Sequence, residues 1–287
     1  MHMNNFKKFL YELNTQHNNR IFLKKMKQHL ITNDDIHLVH QMGRVASMTM
    51  VNTLKLAVPD KPVYHTHYLT ERTLNDRINY LHSIGERITQ RHLKVSKIMI
   101  PFLNQNLKNR NWNILTIIRD PIARNISAFF LDIERHIPNF HKQYALKSIS
   151  TNQMIDTFIK DYEHNTPLDW FEHEIKSPFN LDVYKYFFPE DKGYSLIKND
   201  NLQLLVIKLE RFNDCCQSAF KDFTGISNIK PQDTHITKKD DSSGAYKDLL
   251  KDIKLPRHYV DRMYSSRFMT HFYSEEEIAK LRRKWLK

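Results

Sequence analysis

The chain has 287 residues, 40% hydrophobic and 26% charged, the balance of a soluble globular protein and not of a disordered or collagenous one. Lysine and arginine number 44 against 32 acidic residues, a net charge of +12, which suits an anionic partner: nucleic acid, an acidic membrane surface, or a phosphorylated or sulfated ligand. The five glycines stand apart, so the dinucleotide fingerprint, the Walker A loop and the nucleophile elbow, which need closely spaced glycines, are all excluded.

Residues 1–34 read as one or two short basic helices, with Phe6, Leu10 and Leu13 at helical spacing among lysines. They have two readings, a cap packed on the main domain or peripheral contact with a membrane surface. A single α/β domain is expected over 35–287. IHLVHQ is a first strand, followed by a turn at Gly43 and a helix over 46–56. PVYHTHYL at 62–69 is a second strand, and a long polar helix then carries Leu74, Ile78, Leu81, Ile84 and Ile88. WNILTIIR at 112–119 is continuous and apolar, as a strand buried on both faces of a parallel sheet should be. Asp120 then caps a helix with Pro121 at its first position.

Residues 151–176 read as helical, and GYSLIKNDNLQLLVIKLERF as two strands around a turn at Asn199–Asn201. A helix over 215–223 places the adjacent cysteines Cys215 and Cys216 as packing residues. Adjacent cysteines exclude a CxxC pair, a zinc ribbon and a disulfide framework, and imply a reducing compartment. The polar stretch 237–244 is a loop by composition, and two more helices finish the chain. No apolar run is long enough to cross a bilayer and no secretory cleavage pattern appears, so the expected location is cytoplasmic, with the inner membrane surface open to the N-terminal helices.

Two segments carry the chemistry. In HLVHQMGRVASMT a strand, a loop with Arg44 and the hydroxyls of Ser47 and Thr49 precede a helix, whose free N–H groups and positive dipole end hold anions. In TIIRDPIARNISAFF, Arg119 stands at the carboxyl end of a buried strand, where open α/β sheets bind ligands, and Ser127 lies two turns into the next helix. Taken singly, each is also read as an ordinary turn, a solvated arginine or a small packing residue. Between them, His65 and His67 sit two apart on a strand and so face one side. A neutral imidazole suits proton abstraction from an alcohol. A metal pair or purely structural histidines are the other readings.

Together these segments resemble the sulfotransferases that use 3′-phosphoadenosine 5′-phosphosulfate. GRVASMT resembles their 5′-phosphosulfate loop and RDPIARNIS their RDPxxRxxS 3′-phosphate element, in the same order. The resemblance implies a P-loop-like fold with a central, mainly parallel sheet flanked by helices. It places Arg44, Val45, Ala46, Ser47, Met48 and Thr49 at the phosphosulfate and Arg119 and Ser127 at the 3′-phosphate. Met48 departs from the small or hydroxyl residue many members carry. Lys238 and Lys239 fall where many members close a loop over the 3′-phosphate. YHTHYL at 64–69 is similar to the YHGH segment of Golgi uronyl-type polysaccharide sulfotransferases, which makes His67 the implied base, with Arg44 as its catalytic partner.

LLVIKLERF at 204–212, ending near Glu210, and HFYSEEE at 271–277 are similar to later family segments. DWFEHEIKSPFNLDVY at 169–184 resembles bacterial capsular polysaccharide synthesis proteins; its Asp169, Trp170, Glu172 and Glu174 read as an acceptor groove or as the solvated face of a helix. The implied partners are the nucleotide donor and a carbohydrate acceptor such as a capsular or uronic-acid polysaccharide, and the implied chemistry needs no metal. A P-loop-like nucleotide kinase, a basic nucleic-acid-binding protein and a non-catalytic binding module are the alternatives. The missing Walker lysine counts against the first, and the lack of one continuous aromatic and basic face against the second.

Overall fold

The apolar runs at 35–40, 111–118 and 202–208 become the three inner strands of one sheet, buried along nearly their whole length. The computed structural model describes residues 2–230 and 242–286. Its strands β1 (Asp35–His40), β2 (Val63–Thr66), β3 (Asn111–Ile118), β4 (Tyr194–Asn199) and β5 (Leu202–Lys208) lie in the order β2-β1-β3-β5-β4. Four are parallel, and β4 closes one edge as an antiparallel hairpin on β5. The fold is therefore α/β with a mostly parallel five-stranded sheet. Among the described residues no helix is long and apolar enough to cross a membrane.

The helices are α1 (His2–Thr32), α2 (Ser47–Ala57), α3 (Glu71–Ser83), α4 (Arg91–Asn106), α5 (Pro121–Leu131), α6 (Thr151–Asp161), α7 (Thr166–Phe171), α8 (Phe212–Thr224), α9 (Ser242–Asp252), α10 (Arg257–Tyr264), α11 (Arg267–Phe272) and α12 (Glu275–Trp285). Short helical turns lie between α5 and α6, and a π-helical turn, Glu172–Lys176, follows α7. Residues 2–32 form one long helix where one or two short ones were expected, with Met26 and Leu30 buried in the core.

The long helix expected to carry Leu74 through Ile88 ends at Ser83, short of Ile84 and Ile88, and a second helix begins at Arg91. Gly85, at φ +72°, ends α3 with Gly85 N–H on His82 O and Glu86 N–H on Leu81 O, a left-handed C-terminal cap that suits glycine. The second helix, α4, is absent from the sequence reading, its interior Pro101 breaking the helical pattern. Residues 242–244, expected as loop, begin α9, and the four helices α9–α12 end the chain where two were expected. Lys238 and Lys239 lie outside the described residues.

The C-terminal helices are tied to the start of α5 by one carboxylate. Asp120, 2% exposed, accepts from Ile122 N–H, Tyr264 Oη and Trp285 Nε1 at 2.9–3.0 Å. Removing it strands two buried donors, each costing about 1–3 kcal/mol. Asp120→Ala is expected to lower Tm by roughly 6 °C or more in calorimetry, and Asp120→Asn, which keeps an acceptor, by less.

Candidate functional site

The chain leaves β1 through Gln41–Ala46 and enters α2 at Ser47. Arg44 (φ +71°) and Ala46 (φ +61°) are left-handed, whereas Gly43, expected at the turn, is not. Left-handed backbone costs a non-glycine residue about 1–2 kcal/mol, and such strain clusters at ligand clamps. Alternating left-handed residues turn successive N–H groups into an anion-binding concavity. Ala46 cannot cap α2 with a side chain, so the helix presents its first N–H groups to the same place.

Three arginines converge on this loop. Arg44 Nε donates to Ser127 Oγ at 3.0 Å, Arg119 Nη1 to Arg44 O at 2.9 Å and Arg124 Nε to Gly43 O at 3.1 Å. Arg124 is itself braced by Asn125 and by Tyr162 Oη. The two motif segments, 83 residues apart at the Arg44–Ser127 bond, thus form one hydrogen-bonded unit with concentrated positive charge. Not every residue of the loop faces out: Val45 is in the core, Ala46 is exposed, and Met48 is 44% exposed. Ser47 and Thr49 are half-buried, and Thr49 O accepts from Thr53 Oγ1. At the base of the loop Gln41 is fully buried, and neither of its amide atoms has a hydrogen-bond partner among the described residues.

β2 ends at Thr66, so His65 lies in the strand and His67 one residue beyond it. Their rings still meet, with centroids 4.6 Å apart. His92, in the first turn of α4, completes a cluster 4.6 Å from His67 and 6.0 Å from His65. The sequence reading missed His92 together with its helix. His67 Nδ1 is 2.6 Å from Gln41 O. A carbonyl only accepts, so Nδ1 holds the proton and Nε2 keeps its lone pair. Among the described residues no set of three His, Cys, Asp or Glu side chains is placed to hold a metal ion.

Burial lowers the basicity of all three rings. His65 is held down to about 3, with His92 and His40 adding repulsion, and His92 to about 4, with Arg77 adding to the effect. His67 falls well below its ordinary value through burial and the neighbouring imidazoles. All three are therefore neutral near pH 7.

Beside the loop, α1, α2, α4 and β2 enclose a cavity of about 700 Å³ into which His65 and His92 open, together with Met48. Behind the histidines, Glu174 of the π-helical turn is 2% exposed and accepts from Leu69 N–H at 2.6 Å and from Thr73 Oγ1. Its main-chain carbonyl meets His40 Nε2 at 3.0 Å, and His40 Nδ1 meets Thr66 Oγ1 at 2.9 Å. Glu174 thus clamps the chain on both sides of His67. Glu174 and Trp170, 5% exposed, are not on a solvated face, whereas Asp169 and Glu172, the latter paired with Lys176, are exposed. Glu210 accepts Asp120 N–H at 2.8 Å, beside Arg119. The HFYSEEE and LLVIKLERF segments explain one another: fully buried Lys208 bonds both carboxylate oxygens of Glu277. Cys215 and Cys216 are buried free thiols, pushed up to about 11 and 12 by burial.

One family model, NKWYS, described as putative capsular polysaccharide synthesis protein, matches residues 145–274. This supports a capsular polysaccharide-related family. No curated protein and no solved structure matches. The matched region contains Tyr162, Glu174 and Glu210, which brace the arginine loop and the histidines, while Arg44, His67, Arg119 and Ser127 lie outside it.

Because the folded histidines bind protons less readily than unfolded ones, stability is full above about pH 6.5 and is lost as pH falls toward 4. Thermal unfolding is expected to show a flat Tm above pH 7 and a fall below 6.5. His65→Gln and His92→Gln should each flatten that fall while leaving part of it to the other buried histidines.

Proposed function

We propose that the protein is a sulfotransferase acting in the synthesis of capsular or related polysaccharide, moving a sulfonate from 3′-phosphoadenosine 5′-phosphosulfate to a carbohydrate hydroxyl. The observation that carries this reading is the pair of hydrogen bonds, Arg44 to Ser127 and Arg119 to Arg44 O. They join two segments that, by resemblance, serve the two ends of one 3′,5′-substituted nucleotide. The residues present fit such a ligand. The loop holds two non-glycine residues in left-handed backbone, arginine side chains bond to it, and an unpartnered buried amide lies at its base. The match to a capsular polysaccharide synthesis family agrees with a sugar acceptor.

In the proposed reaction the acceptor oxygen bonds to sulfur as the sulfur–oxygen bond to the 5′-phosphate breaks, its electron pair staying on the phosphate oxygen. The hydroxyl proton passes to a neutral imidazole of the histidine cluster, and His67 is the member the resemblance assigns. Arg44 and the amino end of α2 steady the charge on the sulfonate and on the departing phosphate. Arg119 and Ser127 hold the 3′-phosphate. Preorganised donors of this kind each supply about 3–4 kcal/mol of barrier lowering, and general base assistance adds a further factor of about 10²–10⁴.

The test is transfer of labelled sulfonate to a panel of desulfated bacterial and uronic-acid polysaccharides. Wild-type protein is expected to label at least one. Arg44→Ala should cut turnover by a factor of about 10² to 10³, and His67→Ala by about 10² or more with the donor KM little changed. No transfer to any acceptor, or full turnover by Arg44→Ala, would overturn the reading.

A further inference from the structure

The cavity beside the loop has walls of two kinds. Phe22, Val51, Val63 and Val95 give apolar surface, while polar atoms enter at a few points, the usual make-up of a small-molecule site. Two of the lining residues, His65 and Gln90, each carry a buried polar atom without a hydrogen-bond partner among the described residues, His65 Nε2 and Gln90 Oε1. His92 opens into the same space, and so does Met48 at the start of α2. His67 does not line it. Its ring stands behind the other two, and its Nδ1–H is committed to Gln41 O. The fourth wall is fixed in place, since Arg91 Nε donates to the buried Asn19 Oδ1 at 2.7 Å and the guanidinium lies over the Phe22 ring at 4.9 Å.

We propose that this cavity receives the sugar ring that is modified, that His92 and His65 meet its hydroxyl, and that His67 is a positioning residue behind them. The inference rests on the sulfotransferase reading. A pyranose fits the walls: its C–H faces suit the apolar side chains, and its hydroxyls suit the polar side chains of Gln90, His65 and His92 among them. Met48 and the first turn of α2 place the cavity against the loop that would hold the sulfonate. In the transfer step the hydroxyl proton then passes to His92. The oxygen it leaves forms the bond to sulfur, and the phosphate keeps the electron pair of the bond that breaks.

The experiment is an NMR titration of histidine-labelled protein, first with adenosine 3′,5′-bisphosphate and then with methyl β-glucopyranoside and methyl β-glucopyranosiduronate. At least one glycoside is expected to shift the His65 and His92 ring signals saturably. Gln90→Leu should weaken that binding about tenfold. Thr89→Trp, a change at an exposed position on the cavity wall, should abolish it while nucleotide binding persists. In the transfer assay, added imidazole should restore turnover to His92→Gly and not to His67→Gly. Nucleotide binding with both ring signals unmoved by either glycoside would overturn the inference, as would rescue of His67→Gly alone. Absence of nucleotide binding would instead strike the sulfotransferase reading, and the glycoside shifts would still report on the cavity.

Discussion

The parallel pairing of β1 with β3 is the constraint on which the site depends. Val39 lies opposite Leu115 in that register, so the chain leaves both strands at the same edge of the sheet. The loop after β1 and the helix after β3 therefore meet, although they are far apart in sequence. Arg44 reaches Ser127, and Arg119 and Arg124 reach the carbonyls of Arg44 and Gly43. The same bonds that gather positive charge also brace the loop in which two non-glycine residues take left-handed backbone, a conformation such residues disfavour. Charge concentration and loop shape are one feature, and an anion at this edge would be favoured by both.

The remainder of the chain supports that edge. Helices α10 and α12 bond to Asp120 through Tyr264 and Trp285, so the start of α5 is anchored from the C-terminus. Tyr162 and the carbonyl of His164 brace Arg124 and Asn125. Glu174 fixes the segment after β2, where His67 sits, and Glu210 holds the turn beside Arg119. The region matched by the capsular polysaccharide family model supplies these braces apart from Trp285, and the region before it supplies the loop and the histidines. A substitution in the matched region would then act on the site through position rather than contact.

Much of this was legible in residue types and spacing. The apolar run ending at Arg119 and the cap formed by Asp120 with Pro121 follow from local rules and appear as read. The antiparallel pair β4 and β5 around its Asn-rich turn does too. What escaped depends on tertiary contact. The turn at Gly43 is where it was read, but nothing local marks Arg44 and Ala46, both non-glycine, as its left-handed residues. Glu174 looked like one of several surface carboxylates, and only the fold shows it buried on the backbone of Leu69. His92 could be joined to His65 and His67 only once α4 was packed on β2.

The most direct measurement is a thermal-shift titration with adenosine 3′,5′-bisphosphate, against 5′-AMP and ATP and with Arg119→Ala as the control protein. Ligand at about one hundred times its dissociation constant adds roughly 2.7 kcal/mol to stability, several degrees for a protein of this size. The account predicts a shift that requires the 3′-phosphate and is lost in Arg119→Ala. No shift, or an equal shift with ATP, would contradict it.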